Sequence, residues 1–224
     1  MTPTTLRDVE RLLADFIGDI DPDDPRGRRR RKILEAASEL FAVHGYRKTS
    51  ISDIAERAGV AKATFYTHFE GKSDVLIAAI ALEKLRTLGA FAAEFDPAIP
   101  ARERLRRWVV DALVVVARSP LLSRVVGGDE ELGELLADVG NKVVAEANAR
   151  QFGVFGALIA EVCAPERPTE EELRERIVAI GALFYLAPLL RADHVRHGMT
   201  IERLAERIGD LVIDGIDPRR KEAP

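Results

Sequence analysis

The chain has 224 residues, a formal net charge of −4 at pH 7, 31% charged and 47% hydrophobic residues, and a single cysteine, Cys163. These figures describe an ordinary globular protein of one or two domains and exclude an intrachain disulfide framework. No run approaches the roughly 18–20 apolar residues of a membrane span, and Arg7, Asp8, Glu10 and Arg11 break up any secretory signal, so a reducing cytoplasm is the expected location.

The charge is unevenly spread. From Arg26 to Lys72 there are 11 Lys or Arg against 5 Asp or Glu, a local +6, so the remainder carries −10. A basic module on an acidic body suits a protein that meets nucleic acid at one end.

Taken in chain order, Leu6, Val9, Leu12, Leu13, Phe16, Ile17 and Ile20 repeat at helical spacing and predict an amphipathic helix over 5–19. The segment Asp21-Pro-Asp-Asp-Pro25 reads as a linker. A second helix is expected over about 28–44, with Ile33, Leu34, Ala37, Leu40 and Phe41 as its apolar stripe and Gly45 at its end. Ser50 with Asp53 makes a capping box for a short helix, 51–58, closed by Gly59. Another short helix follows at 62–69 and a longer one at 72–95. Beyond the connector Asp96–Pro100, helices are expected near 101–118, 121–126, 130–138, 141–162, 169–190 and 201–216. No useful strand alternation appears, so the fold class is all-α.

The chemistry concentrates in residues 49–69. Two short helices joined by a glycine turn make a helix-turn-helix. On a helical wheel, Phe65 and Phe69 point inward and leave Ala63, Thr64, Tyr66 and Thr67 outward, flanked by Lys62 and His68. That outward face is small and polar, so it can enter a major groove. There Ala63 and the Thr methyls can meet thymine methyls, and the Thr hydroxyls can bond to base edges. Lys62, Tyr66 and His68 suit phosphates, as does Lys72 after the second short helix. The run Arg28–Lys32, with Arg29 and Arg30, gives a counterion-releasing patch or an arm near a minor groove, and Lys48, Thr49 and Ser50 ahead of the first short helix are further candidate DNA contacts. Double-stranded operator DNA is the expected partner. A plain helical hairpin explains this combination poorly.

In Ile33-Leu-x-Ala-Ala-x-x-Leu-Phe41, Gly45-Tyr46, Thr49-Ser-Ile-x-x-Ile-Ala55, Ala58-Gly-Val60, Lys62-Ala-Thr-Phe-Tyr-x-His-Phe69 and Lys72, the sequence resembles the TetR (tetracycline-repressor) family. The matching stretch is about a quarter of the chain. Two features depart from the family pattern: Ala61 stands where Ser is usual, and residues 1–25 are extra. The resemblance implies a three-helix DNA-binding domain at 26–86 behind the extension 1–25, and a larger helical domain at 87–224 that dimerises and binds an effector.

The residues offer partial support for that body. From Ile177 to Leu190 the sequence is apolar all round, as for a helix buried on both sides, and 201–216 adds a second apolar stripe. Ile177, Phe184, Leu204, Ile208 and Leu211 are the expected dimerisation residues. Phe91, Phe95, Trp108, Leu113, Phe152, Phe155, Phe184 and Tyr185 are the candidate lining of a pocket for a small, mostly apolar molecule, with Gly153 and Gly156 leaving room; plain core packing is the competing reading of each. Cys163 and four scattered histidines, His194 and His197 among them, give no metal pattern. No cofactor is expected, and no nucleophile–base set or phosphate loop points to an enzyme. The expected function is a ligand-responsive DNA-binding regulator, a repressor by preference. The alternatives are an activator and an effector-independent DNA-binding protein.

Overall fold

The computed structural model describes residues 6–90, 96–135, 153, 155–164 and 168–216, and every regular element among them is helical. None of these helices is long and apolar enough to cross a membrane. The chain forms two compact units, one of residues 7–86 with 119–147 and one of residues 1–6 with 87–118 and 148–224. This division breaks at the expected boundary of 86 but not at 25. The helix of the extension falls in one unit with the expected helix-turn-helix, and so does a segment from the middle of the chain.

The first unit begins with α1 (Leu6–Ile17). Its Val9, Leu13 and Ile17, spaced by four, are buried, while Leu12 and Phe16 are half-buried. α2 (Pro25–His44) starts three residues earlier than expected, because Asp24 and Pro25 make a cap and first-turn pair rather than a linker. The Asp24 carboxylate accepts from the Gly27 amide at 2.7 Å. α2 buries Ile33, Leu34, Ala36, Ala37 and Phe41 and ends at Gly45, at φ +84°.

α3 (Ile51–Ala58) carries the expected capping box: the Ser50 amide donates to Asp53 at 2.8 Å and the Asp53 amide to the Ser50 hydroxyl at 3.2 Å. Gly59 closes it at φ +68°. α4 (Lys62–Tyr66) is shorter than expected. Its last turn tightens, with the Thr67 amide on the Thr64 carbonyl and the His68 and Phe69 amides on that of Phe65. α5 (Lys72–Ala90) follows; the expected continuation to residue 95 lies outside the described residues.

α7 (Pro120–Val126) and α8 (Glu130–Leu135) complete this unit, with α7 packed on α2. The Arg124 guanidinium donates to the Phe41 carbonyl at 2.9 Å and to Ala42 at 3.3 Å, and pairs with Asp129. A cation thus satisfies the last carbonyls of α2. Glu83 of α5 accepts from the Ser38 hydroxyl and, at 3.1 Å, from the Leu122 amide.

The second unit is built on α6 (Ala101–Arg118), α9 (Glu170–Leu183), α10 (Asp193–Arg196) and α11 (Ile201–Ile216). α6 packs along α11 so closely that a Cβ on Gly209 would lie 2.6 Å from Val110 Cγ2. Arg102–Asp214 and Arg106–Asp210 pairs, both 2.6 Å, flank that contact. The expected helix 169–190 is not one α-helix: α9 gives way at Phe184 to a 3₁₀ segment, Phe184–Arg191, that contains Pro188. The ring removes an amide that a continued α-helix would need. Of the expected helix 141–162, only 153 and 155–162 are described, and these are helical.

Candidate nucleic-acid interface

The frame of the site is set by buried aromatic rings. Phe65 and Phe69 lie 5.7 Å apart and are both buried, which fixes the roll of α4. Lys62, Ala63, Tyr66 and Thr67 are exposed, and Thr64 and His68 are half-buried at the margin. The wheel puts four of these outward, Ala63, Thr64, Tyr66 and Thr67, with Lys62 and His68 as their flanks. The Thr67 hydroxyl donates to the Thr64 carbonyl at 2.7 Å, which leaves its oxygen as an acceptor. Ala61 makes no side-chain cap, so α4 begins with amides that no side chain satisfies.

Lys48 and Ser50 are exposed just before α3, and Arg29 is exposed on α2. His68 is held below its ordinary pKa first by burial and then by Arg30, Arg26 and Arg29, so it is a neutral imidazole in a positive field at pH 7. Such a field, beside a small polar helix face, attracts a polyanion.

Three expected contacts need correction. Thr49 is only 2% exposed, and its hydroxyl donates to the Gly45 carbonyl at 2.8 Å. Lys72 turns inward: its ammonium donates to the carbonyls of Tyr46 at 2.8 Å and Thr49 at 3.0 Å and lies 4.1 Å from the Tyr46 ring centre. Arg30 is also turned inward. Its Nε donates to the Ile17 carbonyl, a second nitrogen donates to that of His68, and the guanidinium sits 4.2 Å over the Phe69 ring. In each case an unsatisfied backbone carbonyl nearby outcompetes solvent for the polar side chain, a demand that sequence spacing does not reveal.

In the second unit, Trp108 stacks on Phe155 at 4.0 Å and meets Phe184 edge-on at 5.2 Å, with Leu113 also buried. Three of the expected pocket residues are thus brought together, with Phe155 and Phe184 both packed on Trp108. Tyr185 does not join them: it is exposed. The room expected beside Gly156 is filled, since a Cβ there would lie 2.9 Å from Ile177 Cδ1. Phe91, Phe95 and Phe152 lie outside the described residues. Among the expected dimerisation residues, Leu211 is 74% exposed, while Ile177, Phe184, Leu204 and Ile208 are half-buried. Val178, Leu186 and Leu189, which the sequence reading did not single out, are exposed apolar side chains of the same unit.

Known proteins share this arrangement. Residues 33–79 match the family description of bacterial regulatory proteins of the tetR family. The HTH-type transcriptional activator FasR of Mycolicibacterium smegmatis is 43% identical over 56 residues, 25% of this chain and 26% of that protein. The HTH-type transcriptional repressor KstR of Rhodococcus jostii is 27% identical over 177 residues, 77% of this chain and 78% of that one. The fatty acid degradation regulator FadR of Bacillus halodurans superimposes with a TM-score of 0.67 at 22% identity, over 86% of this chain and 97% of that one. The chain spans about a quarter of the length of the first curated relatives it matches. Residues 33–79 are thus similar to the DNA-binding segment of tetR-family bacterial regulatory proteins, and the described helices share their fold.

Proposed function

We propose that the protein is a transcriptional repressor that binds a palindromic operator as a homodimer and is released by a small, mostly apolar molecule. The observation that carries the reading is the outer face of α4. It combines Ala63, Thr64, Tyr66 and Thr67, small or amphipathic and outward, with Lys62 and a neutral His68 beside exposed arginines. Such a helix reads bases with its centre and holds phosphates with its flanks.

A two-fold partner is supported by Leu211, Val178, Leu186 and Leu189, large apolar side chains that a lone soluble chain rarely leaves exposed together. The apolar character of the effector is supported by the aromatic core around Trp108 and by the likeness to a fatty acid degradation regulator. Repression is preferred because one of the long alignments is with a protein named as a repressor.

The test is fluorescence anisotropy on an operator obtained by selection, titrated with fatty acids and their thioesters of increasing chain length. Release at concentrations that leave binding to unrelated duplexes unchanged is the expected result. An operator complex that none of them affects would refute the apolar effector while leaving the DNA-binding assignment intact.

A further inference from the structure

The extension of residues 6–24 is bound to the DNA-reading helices more firmly than its sequence suggests. Gly18 follows α1 at φ +66°, and its amide donates to the Ala14 carbonyl at 2.9 Å. A Cβ at Gly18 would lie 2.9 Å from Arg30 Nε. The segment between α1 and α2 is a bonded turn: the Asp21 amide donates to Asp19 and the Asp23 amide to Asp21, both at 2.9 Å, and Arg28 donates to the Pro22 and Asp23 carbonyls. Gly27 closes it from below, since a Cβ there would lie 2.5 Å from the Asp21 carbonyl oxygen.

Arg30 is where the extension meets the reading head. Ile17 is the last residue of α1, and its carbonyl is one that the helix itself leaves without a donor. His68 stands in the tightened turn after α4, where the backbone leaves the recognition helix. One guanidinium donates to both carbonyls and sits 4.2 Å over the ring of Phe69, which anchors that turn. Two negative helix ends are thus held to one planar cation, an arrangement that needs donors pointing in different directions from a rigid fork and that lysine does not provide.

We infer that Arg30 is a positioning residue for sequence reading, and that α1 acts through it to fix the end of α4 that carries Tyr66, Thr67 and His68. The extension is in this account a fourth helix of the reading head. It sharpens base discrimination without touching DNA, and it withdraws from the phosphates an arginine that the neighbouring Arg29 resembles in sequence. The inference rests on the proposal that α4 reads DNA.

The test compares full-length Arg30→Gln, Gly18→Ala and Arg29→Gln with wild type. Two quantities are measured: the slope of log affinity against log salt, and the ratio of affinity for the selected operator to that for random duplex. Arg29→Gln should lower the slope by about one and leave the ratio alone. Arg30→Gln and Gly18→Ala should keep the wild-type slope and lower the ratio by roughly tenfold, the scale of one base-edge contact misplaced. An Arg30→Gln slope reduced by about one with an unchanged ratio would make Arg30 a phosphate contact and overturn the inference, as would a wild-type ratio in folded Gly18→Ala. If Gly18→Ala fails to fold, amide exchange in the wild type decides: protection of residues 9–17 should rise when operator is added, and unchanged protection overturns the coupling. A wild type with no preference for any duplex would instead refute the DNA-reading proposal itself.

Discussion

At the residue scale, the proposed function divides the outer face of α4 into positions that hold phosphates and positions that read bases. Lys62→Ala should weaken all duplexes alike and lower the salt slope by about one, because it removes one phosphate contact. Thr64→Ala should change base preference at one position, by about 1–3 kcal/mol, with little change in slope. Ala61 is extended, at φ −67° and ψ 147°, the conformation of a cap, but lacks a hydroxyl. Ala61→Ser should therefore stabilise the protein by about 1 kcal/mol, read as a rise in melting temperature. His68 gives a pH signature. Its folded pKa is lowered, by burial first and by Arg30, Arg26 and Arg29 after it, so below the ordinary histidine value of 6.5 the unfolded chain takes up the proton first. This group's contribution to stability is present above that pH and is lost progressively as pH falls towards the folded pKa. His68→Gln should flatten that part of the acid limb of a melting-temperature profile; an identical limb in both proteins would show that another group sets it.

At the element scale, short-range chemistry was legible in the sequence and long-range carbonyl demand was not. The Ser50–Asp53 box, the Gly59 stop and the inward Phe65 and Phe69 could be read because each depends on neighbours three to five residues away. The inward turn of Arg30 and Lys72 could not, since their partners lie 13 to 38 residues away and are backbone atoms of other elements. Arg124 was missed for the same reason: it satisfies the end of α2 from 83 residues downstream. The change to 3₁₀ at Phe184 was half legible, because Pro188 marked a break but not where the chain would tighten. Gly59 at φ +68° has open space around it, so Gly59→Ala tests backbone alone. It should cost about 1–2 kcal/mol through the left-handed conformation, with no clash to relieve.

At the scale of the whole molecule, the basic stretch Arg26–Lys72 and the acidic remainder fall on a chain in which, among the described residues, apolar exposure is concentrated at α9, the 3₁₀ segment and α11. Leu211 and Phe184 separate dimerisation from folding. Leu211 is exposed in the single chain, so Leu211→Glu should give a folded monomer by light scattering and melt nearly as wild type does. Phe184 meets Trp108 edge-on, so Phe184→Glu should lose stability whether or not it dimerises. The claim on which the rest depends is that α3 and α4 read a specific duplex. Its most direct test is selection of bound sequences from a random duplex pool with wild type and Thr64→Ala in parallel. Wild type should recover a palindrome whose half-site centres are about 34–36 Å apart, and Thr64→Ala should recover the same palindrome altered at one symmetric position. No enrichment by wild type, or an identical sequence recovered by both proteins, would contradict the account.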